Sequence, residues 1–240
     1  MKHLLLLWLS LTVANVAGAQ TIINKSYPIK KGQPLELKFD YPVVKITTWE
    51  KNEVAVIAKV NINDGENDDA FTLSDRINNG ALQISNKLTD LDKLPHRYTV
   101  QEAGKKIVFK TEADFKAYKS KMGVIRSYSN GVDMDVSIEV KVPVNTPTTV
   151  KATYGMVQLV NCNTPIVVDA VYGGIDATLN KAQVGQIKAT TSYGHIFSNL
   201  DLVLTDNTKR DFFTSITAQP GKGPAYDLKS TYGKIYMRKQ

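Results

Sequence analysis

VKATYGMV, residues 150–157, returns with small changes as VDAVYGGI at 168–175, IKATTSYGHI at 187–196 and LKSTYGKI at 228–235. A further relative, LKFDYPVV, stands upstream at 37–44 with Pro42 in the glycine's place. The shared pattern is apolar, polar, small, polar, Tyr, Gly, any, Ile or Val. Its dipeptides are Tyr154-Gly155, Tyr172-Gly173, Tyr193-Gly194 and Tyr232-Gly233, with tyrosines 18, 21 and 39 residues apart. A period of about 20 residues marks stacked supersecondary units. The last gap is about two periods, and DFFTSITAQPG at 211–221 reads as a worn copy that fills it.

The letters identify the unit as strands. Val150, Ala152 and Tyr154 share one face of an extended segment, and Lys151 and Thr153 share the other. Beyond the glycine, Val157 and Leu159 alternate on the opposite parity. A continuous strand would carry that second half to the wrong face. Glycine, free to adopt φ > 0, is expected to bend the chain so that both halves point their apolar residues inward. Each Tyr-Gly is thus read as a corner between two short strands, and successive turns are expected to stack about 4.8 Å apart. The expected fold class is all-β, a β-solenoid or β-helix-like stack in which equivalent positions meet the same neighbours and so repeat the same letters. The tyrosines would form a column at the bend. Such rings usually pack on one another, and an exposed aromatic ladder can alternatively stack on sugar rings.

The start of the chain reads as a targeting segment. Met1, Lys2 and His3 are followed by a mostly apolar run from Leu4 to Val16, and Ala17-Gly18-Ala19 offers small residues before a cut at Gln20. Residues 1–19 are therefore expected to be a signal peptide, since the apolar run falls well short of the roughly 20 residues of a span. Residues 20–240 are expected to form one β-solenoid domain, exported and either periplasmic or cell-surface associated, with no transmembrane segment after cleavage. Its net charge falls from +7 to +6 on loss of Lys2. Export argues against a nucleic-acid partner. Cys162 is the one cysteine and forms no internal disulfide. It reads as a small buried apolar group, with a reactive thiol or a dimer link as the alternatives.

The remainder divides into strands and an insertion. Residues 35–63 read as two strands about a turn at Glu50–Glu53, 64–78 as a loop with one short helix near Asp68 or Asp69, and 81–85 as strand. Residues 86–131 lack a clean period and read as an irregular, partly helical basic insertion. Within it, 111–123 predicts a helix capped by Thr111 and stopped by Gly123. The alternating DMDVSIEVKVPV from Asp133 re-enters the stack. At the far end, the charges of KIYMRKQ suit an exposed edge.

On the repeated Tyr-Gly-x-Ile corner and the opening VVKITTWEKNEVAVIAKVNI (43–62), the chain resembles the exported bacterial putative-adhesin family of unknown function. The resemblance implies a β-helical fold, an envelope location and no established enzyme chemistry. This sequence departs from the family's pattern at Pro42 and in the long 86–131 segment.

Chemistry-bearing motifs are sparse. His96 and His195 have no metal-ligand spacing, and no Gly-x-Ser-x-Gly, phosphate loop or HExxH occurs. Asp133 and Asp135 lie two apart, as acid/base work on a sugar or Ca²⁺ binding would require, or as a solvated strand face would equally show. No catalytic, cofactor-binding or metal residue is assigned. The segment 104–126 carries seven Lys or Arg against two acids. Lys105, Lys106, Lys110, Lys116, Tyr118, Lys119, Lys121 and Arg126 are the candidate partner-binding residues, for an envelope protein or an acidic glycan; a solvated insertion pinned by its aromatics is the alternative. The leading expectation is a non-catalytic, adhesin-like envelope binding protein. The alternatives are a periplasmic regulatory or sensory partner of a membrane protein, working through the basic insertion, and a polysaccharide-acting β-helix enzyme using Asp133 and Asp135.

Overall fold

The computed structural model describes residues 20–240, so the expected signal peptide lies outside the described residues. The expected all-β class holds, with strands throughout and a single α-helix among the described residues. Each repeat unit supplies one strand to each of two open, facing sheets. In the unit around Tyr154, Thr148–Ala152 belongs to one sheet and Val157–Val160 to the other. Val150 and Ala152 are buried before the corner and Val157 and Leu159 after it, so both halves face one core. Tyr154, expected on the inward face, swings out at the bend and is half exposed.

Five units stack in parallel and in register. In one sheet Leu37, Val150, Val168, Leu228 and Ala189 meet as successive neighbours, all fully buried. In the other sheet Ile46, Leu159, Ala177 and Met237 form the matching row. The spatial order differs from the chain order. The last unit, with strands Ala225–Ser230 and Ile235–Lys239, lies between the units of Tyr172 and Tyr193. KIYMRKQ is therefore an interior strand, not the charged edge expected of it.

The glycines carry this stack for a reason other than the one expected. None of Gly155, Gly173, Gly194 and Gly233 has the left-handed φ that a glycine bend would use. What requires glycine is proximity. A Cβ on Gly155 would lie 1.6 Å from the Pro42 carbonyl oxygen, and one on Gly173 would lie 1.8 Å from the Gly155 oxygen. Gly233 sits in the same way on Gly173, and Gly194 on Gly233. Pro42 ends this series, so its own ring blocks no further corner. Two hydroxyls reinforce the contacts. Ser230 Oγ donates to the Gly173 carbonyl at 2.9 Å, and Thr191 Oγ1 donates to that of Gly233 at 3.2 Å.

Three further expectations are corrected. Residues 211–221 are not a worn repeat: Phe213–Ala218 pairs antiparallel with Leu204–Arg210 and with Gln186–Thr191, a hairpin that closes one sheet's end. Residues 71–78, expected as loop and helix, form the strand Phe71–Asn78 after a single 3₁₀ turn at Asp68–Ala70. The 86–131 insertion is ordered. Arg97–Glu102, Lys105–Phe109 and Tyr128–Gly131 make a three-stranded antiparallel sheet, and the helix Glu112–Met122 packs on it. The helix has its expected ends. Thr111 accepts a hydrogen bond from the Asp114 amide, and Gly123 closes it at φ 76°. The turn after Trp49 forms as read, with Trp49 Nε1 donating to the Glu53 carbonyl at 2.8 Å, but 35–49 is two strands, Leu35–Phe39 and Val43–Trp49, and Met134–Pro143 lies between Val43–Trp49 and Glu53–Ile62 in the sheet.

Replacing Gly173 with Ala forces a methyl into a backbone carbonyl between two stacked units. It should cost about 3 kcal/mol or more in urea unfolding. Gly131→Ala, where an added Cβ meets nothing within 4 Å, should stay within about 1 kcal/mol of the parent. Equal losses at both positions would show that the close approach is not what selects glycine.

Candidate functional site: an aromatic edge and the groove at its end

The corners bring the tyrosines into one ladder along the line where the two sheets meet. Its order is Tyr41, Tyr154, Tyr172, Tyr232, Tyr193, then Phe212 from the closing hairpin. Ring centroids of consecutive tyrosines are 4.8, 5.1, 5.1 and 5.0 Å apart, with interplanar angles of 22°, 8°, 5° and 9°. Phe212 lies 5.5 Å from Tyr193 and is tilted by 37°. The backbone fixes the spacing, because the Tyr172 amide donates to the Thr153 carbonyl, that of Tyr232 to Val171, and that of Tyr193 to Thr231. Exposure is even, at 52% for Tyr154, 54% for Tyr172, 50% for Tyr232 and 57% for Tyr193. The rings thus cover each other's faces and present their rims to solvent. Stacking of this kind contributes about 0.5–1.5 kcal/mol per pair where it is sheltered, and less here. The same geometry removes the faces on which sugar rings would have to stack along the ladder.

At the Tyr41 end the ladder meets a groove of about 620 Å³ between the sheets and the insertion, lined by Tyr41, Leu88, Asp90, Asp92, His96 and Met134 among others. The Asp40–Tyr41 turn is held from the neighbouring strand. Asn86 Oδ1 accepts from the Asp40 amide at 2.9 Å, and its Nδ2 donates to the Asp40 carbonyl at 3.1 Å. Tyr41 itself has a left-handed φ of 77°, uncommon for a bulky residue and typical of positions that the surroundings hold in place.

The insertion's candidate residues divide. Lys106 pairs with Asp133, Lys110 with Glu66, and Lys116 with Glu112 at 2.9 Å, while the Tyr118 hydroxyl donates to Glu102 at 2.7 Å. Lys105, Lys119, Lys121 and Arg126 have no carboxylate within ion-pair distance among the described residues. The aromatics between them form a small core of their own. Phe115, buried, stacks on Tyr98 at 5.0 Å and meets Phe109 and Tyr128, and Phe109 meets Tyr118. They fasten the helix to its sheet. The insertion is tied to the stack by buried Arg97, which donates to Glu66 at 2.6 Å. Hydrogen bonding from Lys110, with the charges of Lys110 and Arg97, holds the Glu66 carboxyl below the ordinary range.

The remaining sequence candidates are scattered. Asp133 is engaged with Lys106 and with the Asn63 side chain through its amide, while Asp135 is exposed on the strand Met134–Pro143. His195 stacks near Phe197 at 6.1 Å. Cys162 Sγ donates to the Ile46 carbonyl at 3.3 Å, and burial pushes its thiol up to about 12. Sequence reasoning missed the groove altogether. Its lining comes from three segments far apart in the chain, and only the proline in the first corner hinted that the repeat ended there.

No family model matches the chain, and no curated protein does. Among solved structures it is similar to a putative cell adhesion protein from Clostridium sporogenes ATCC 15579, at 11% identity and a TM-score of 0.49, covering 92% of this chain and all of that one. It is also similar to a putative adhesin from Parabacteroides distasonis ATCC 8503, at 11% identity and a TM-score of 0.27, covering 93% of this chain and 98% of that one. Likeness this distant carries no argument about role. No helix among the described residues is long and apolar enough to cross a membrane.

Two solution measurements check the site's chemistry. Native Cys162 should react with an alkylating agent at pH 8 at least about a hundredfold more slowly than in denaturant, because only the thiolate attacks. Glu66's stabilising contribution is complete above its unfolded value of about 4.3 and is lost as pH falls through the lower folded value. Acidification below pH ~4 should therefore loosen the insertion before the sheets. Hydrogen exchange should then show faster exchange of amides 97–131, and uniform protection across the chain would contradict the clamp.

Proposed function

We propose that this chain is a non-catalytic, exported envelope-binding protein of the adhesin type. In this reading the five stacked units are turns of a β-solenoid-like body, and the aromatic edge is the surface that meets the partner. The observation that carries the reading is the row of half-exposed tyrosine rims at a near-constant 5 Å spacing. Core packing needs no ring outside the sheets, and monomeric proteins rarely leave aromatic surface in such a continuous array. Phenol rims offer apolar edge together with a hydroxyl that donates and accepts. The complementary partner is an extended polymer that presents polar groups at regular intervals, such as an envelope glycan or an extended polypeptide.

A second reading keeps the export but moves the contact to the insertion. The four cations without ion-pair partners among the described residues, Lys105, Lys119, Lys121 and Arg126, favour a regulatory role toward an acidic face of a membrane protein. Nothing comparable favours the polysaccharide-acting enzyme. Asp133 is already engaged by Lys106, which leaves Asp135 without a paired carboxylate.

Retention of purified protein by isolated envelope material tests the first reading. Replacing Tyr154, Tyr172 and Tyr232 together with Ser should lower retention at least about tenfold, a loss of ~1.4 kcal/mol. The corresponding Phe variants keep the stacking and separate ring from hydroxyl. Unchanged retention in the Ser variant, with a fall on replacing Lys119, Lys121 and Arg126 by Ala, would transfer the contact to the insertion.

A further inference from the structure

Among the described residues, four strands end the two large sheets: Thr21–Pro28, Phe71–Asn78, Ile196–Ser198 and Leu204–Arg210. An unpaired edge is a template for another chain, and proteins commonly guard it with charge. In Leu204–Arg210 the charges are placed so that they complement a second copy of the same strand. Asp206, Thr208 and Arg210 share one face, and Asn207 and Lys209 share the other. Asp206 and Arg210 stand two places either side of Thr208 and carry opposite charge. Neither they nor Lys209 has an ion-pair partner among the described residues. The strand also overhangs. It lies two strands past Gln186–Thr191, whereas the facing sheet stops at Ile196–Ser198 of that same repeat unit.

The open backbone groups follow from the hairpin. Arg210 opposes Phe213 across the turn Asp211-Phe212, so these two exchange hydrogen bonds, and alternation directs the N–H and C=O of Thr208 likewise toward Ser215. Those of Asn207 and Lys209 point to the free side. A second copy of the strand, antiparallel about a two-fold axis through Thr208, sets Asn207 against Lys209 of that copy, each supplying a donor and an acceptor. The same register sets Asp206 against Arg210 of the copy, and Arg210 against its Asp206. Moving the axis one residue either way loses both ion pairs. Beyond the paired run, Phe212 comes level with Leu204 of the copy, next to Val203. These are 73%, 40% and 82% exposed, apolar area that the pairing covers. The other edges lack this symmetry. Ile196–Ser198 has three residues, and Thr21–Pro28 carries the single charge of Lys25. In Phe71–Asn78, Asp75 and Arg76 are adjacent and lie on opposite faces, where no two-fold can pair them.

We propose that Leu204–Arg210 is a self-recognition edge, at which a second copy of this chain pairs antiparallel about Thr208 and joins two nine-stranded sheets into one. A contact built on one strand is small, and the dimer is a reversible one. The tyrosine ladder lies at one end of the strands in this sheet, so an antiparallel copy carries its ladder on the opposite margin. The dimer therefore presents two aromatic edges that face apart. The pairing does not depend on what those edges bind.

Sedimentation velocity of the signal-free chain in about 50 mM salt, which screens ion pairs only lightly, tests it. The parent should pass from monomer to dimer between about 1 and 100 µM. Asp206→Arg and Arg210→Asp each set like charges opposite one another and should weaken the dimer at least about tenfold. The two substitutions together restore both pairs and should return the affinity to within about threefold of the parent. Asn207→Pro removes an outward N–H and no bond of the hairpin, and should leave a folded monomer. Register is read by crosslinking. Thr208→Cys would face its own copy at about 4.5 Å between Cα atoms and should form a disulfide-linked dimer in air. Asp206→Cys and Arg210→Cys, each facing the other position, should not, and nor should the parent, whose one thiol is Cys162. A parent that stays monomeric, a dimer indifferent to both single reversals or to a folded Asn207→Pro, a double variant no better than the singles, or crosslinking through Asp206→Cys in place of Thr208→Cys would overturn the proposal. Should Asn207→Pro not fold, the reversals and the crosslink decide.

Discussion

The structure depends on one contact: the α-carbon of a corner glycine resting directly on the carbonyl of the corner beneath it. With a carbonyl oxygen occupying the space of the missing Cβ, adjacent units approach closely enough for the strands on both sides of the bend to pair without a shift in register. Once that approach is fixed, the rest follows geometrically. The residue before the glycine cannot fit between the layers, so its ring is expelled to the outside. There the layer spacing sets the distance between rings, and stacking follows from the backbone instead of creating it. Inside, the small residue two places before the tyrosine is Ala152, Ala170, Ser230 or Thr191, and where it carries a hydroxyl that group bonds to the neighbouring corner.

Much of this was legible in the letters. Alternation located most strands, and the reversed parity of Val157 and Leu159 located the corner, because both are consequences of one shared core. Helix caps located the insertion's helix, since Thr111 and Gly123 act on the nearest turn and need no tertiary context. The order of the units was not legible. A repeat says which environments are alike but not which copies touch. The 39-residue gap, which looked like a missing repeat, is the length needed to run out through a hairpin and come back between two existing units. The sign of φ was misread for a related reason, because a glycine chosen for room and one chosen for a left-handed turn look the same in a sequence.

The site was legible in part. The tyrosines announced a column, but only coordinates could show that face-to-face stacking leaves the rims outward. The basic segment looked like a uniform binding surface. Three of its seven cations answer carboxylates, Asp133, Glu66 and Glu112, of which the first two lie outside 104–126, and its aromatics surround Phe115. The contacts of Phe109 and Tyr128 with buried Phe115 could not be assigned without knowing that 97–131 has a sheet of its own.

The placement of residues 225–239 constrains how the molecule can be made. The units around Tyr172 and Tyr193 share no strand pairing with each other; each pairs instead with this segment. Until residues 225–239 have been made, both sheets are split by a gap one strand wide and bounded by hydrogen-bonding edges. A chain in that condition is vulnerable to pairing with other chains, and its closing step joins segments already present to one that arrives last. A product that stops before Ala225 therefore lacks the wedge that makes its two halves one body.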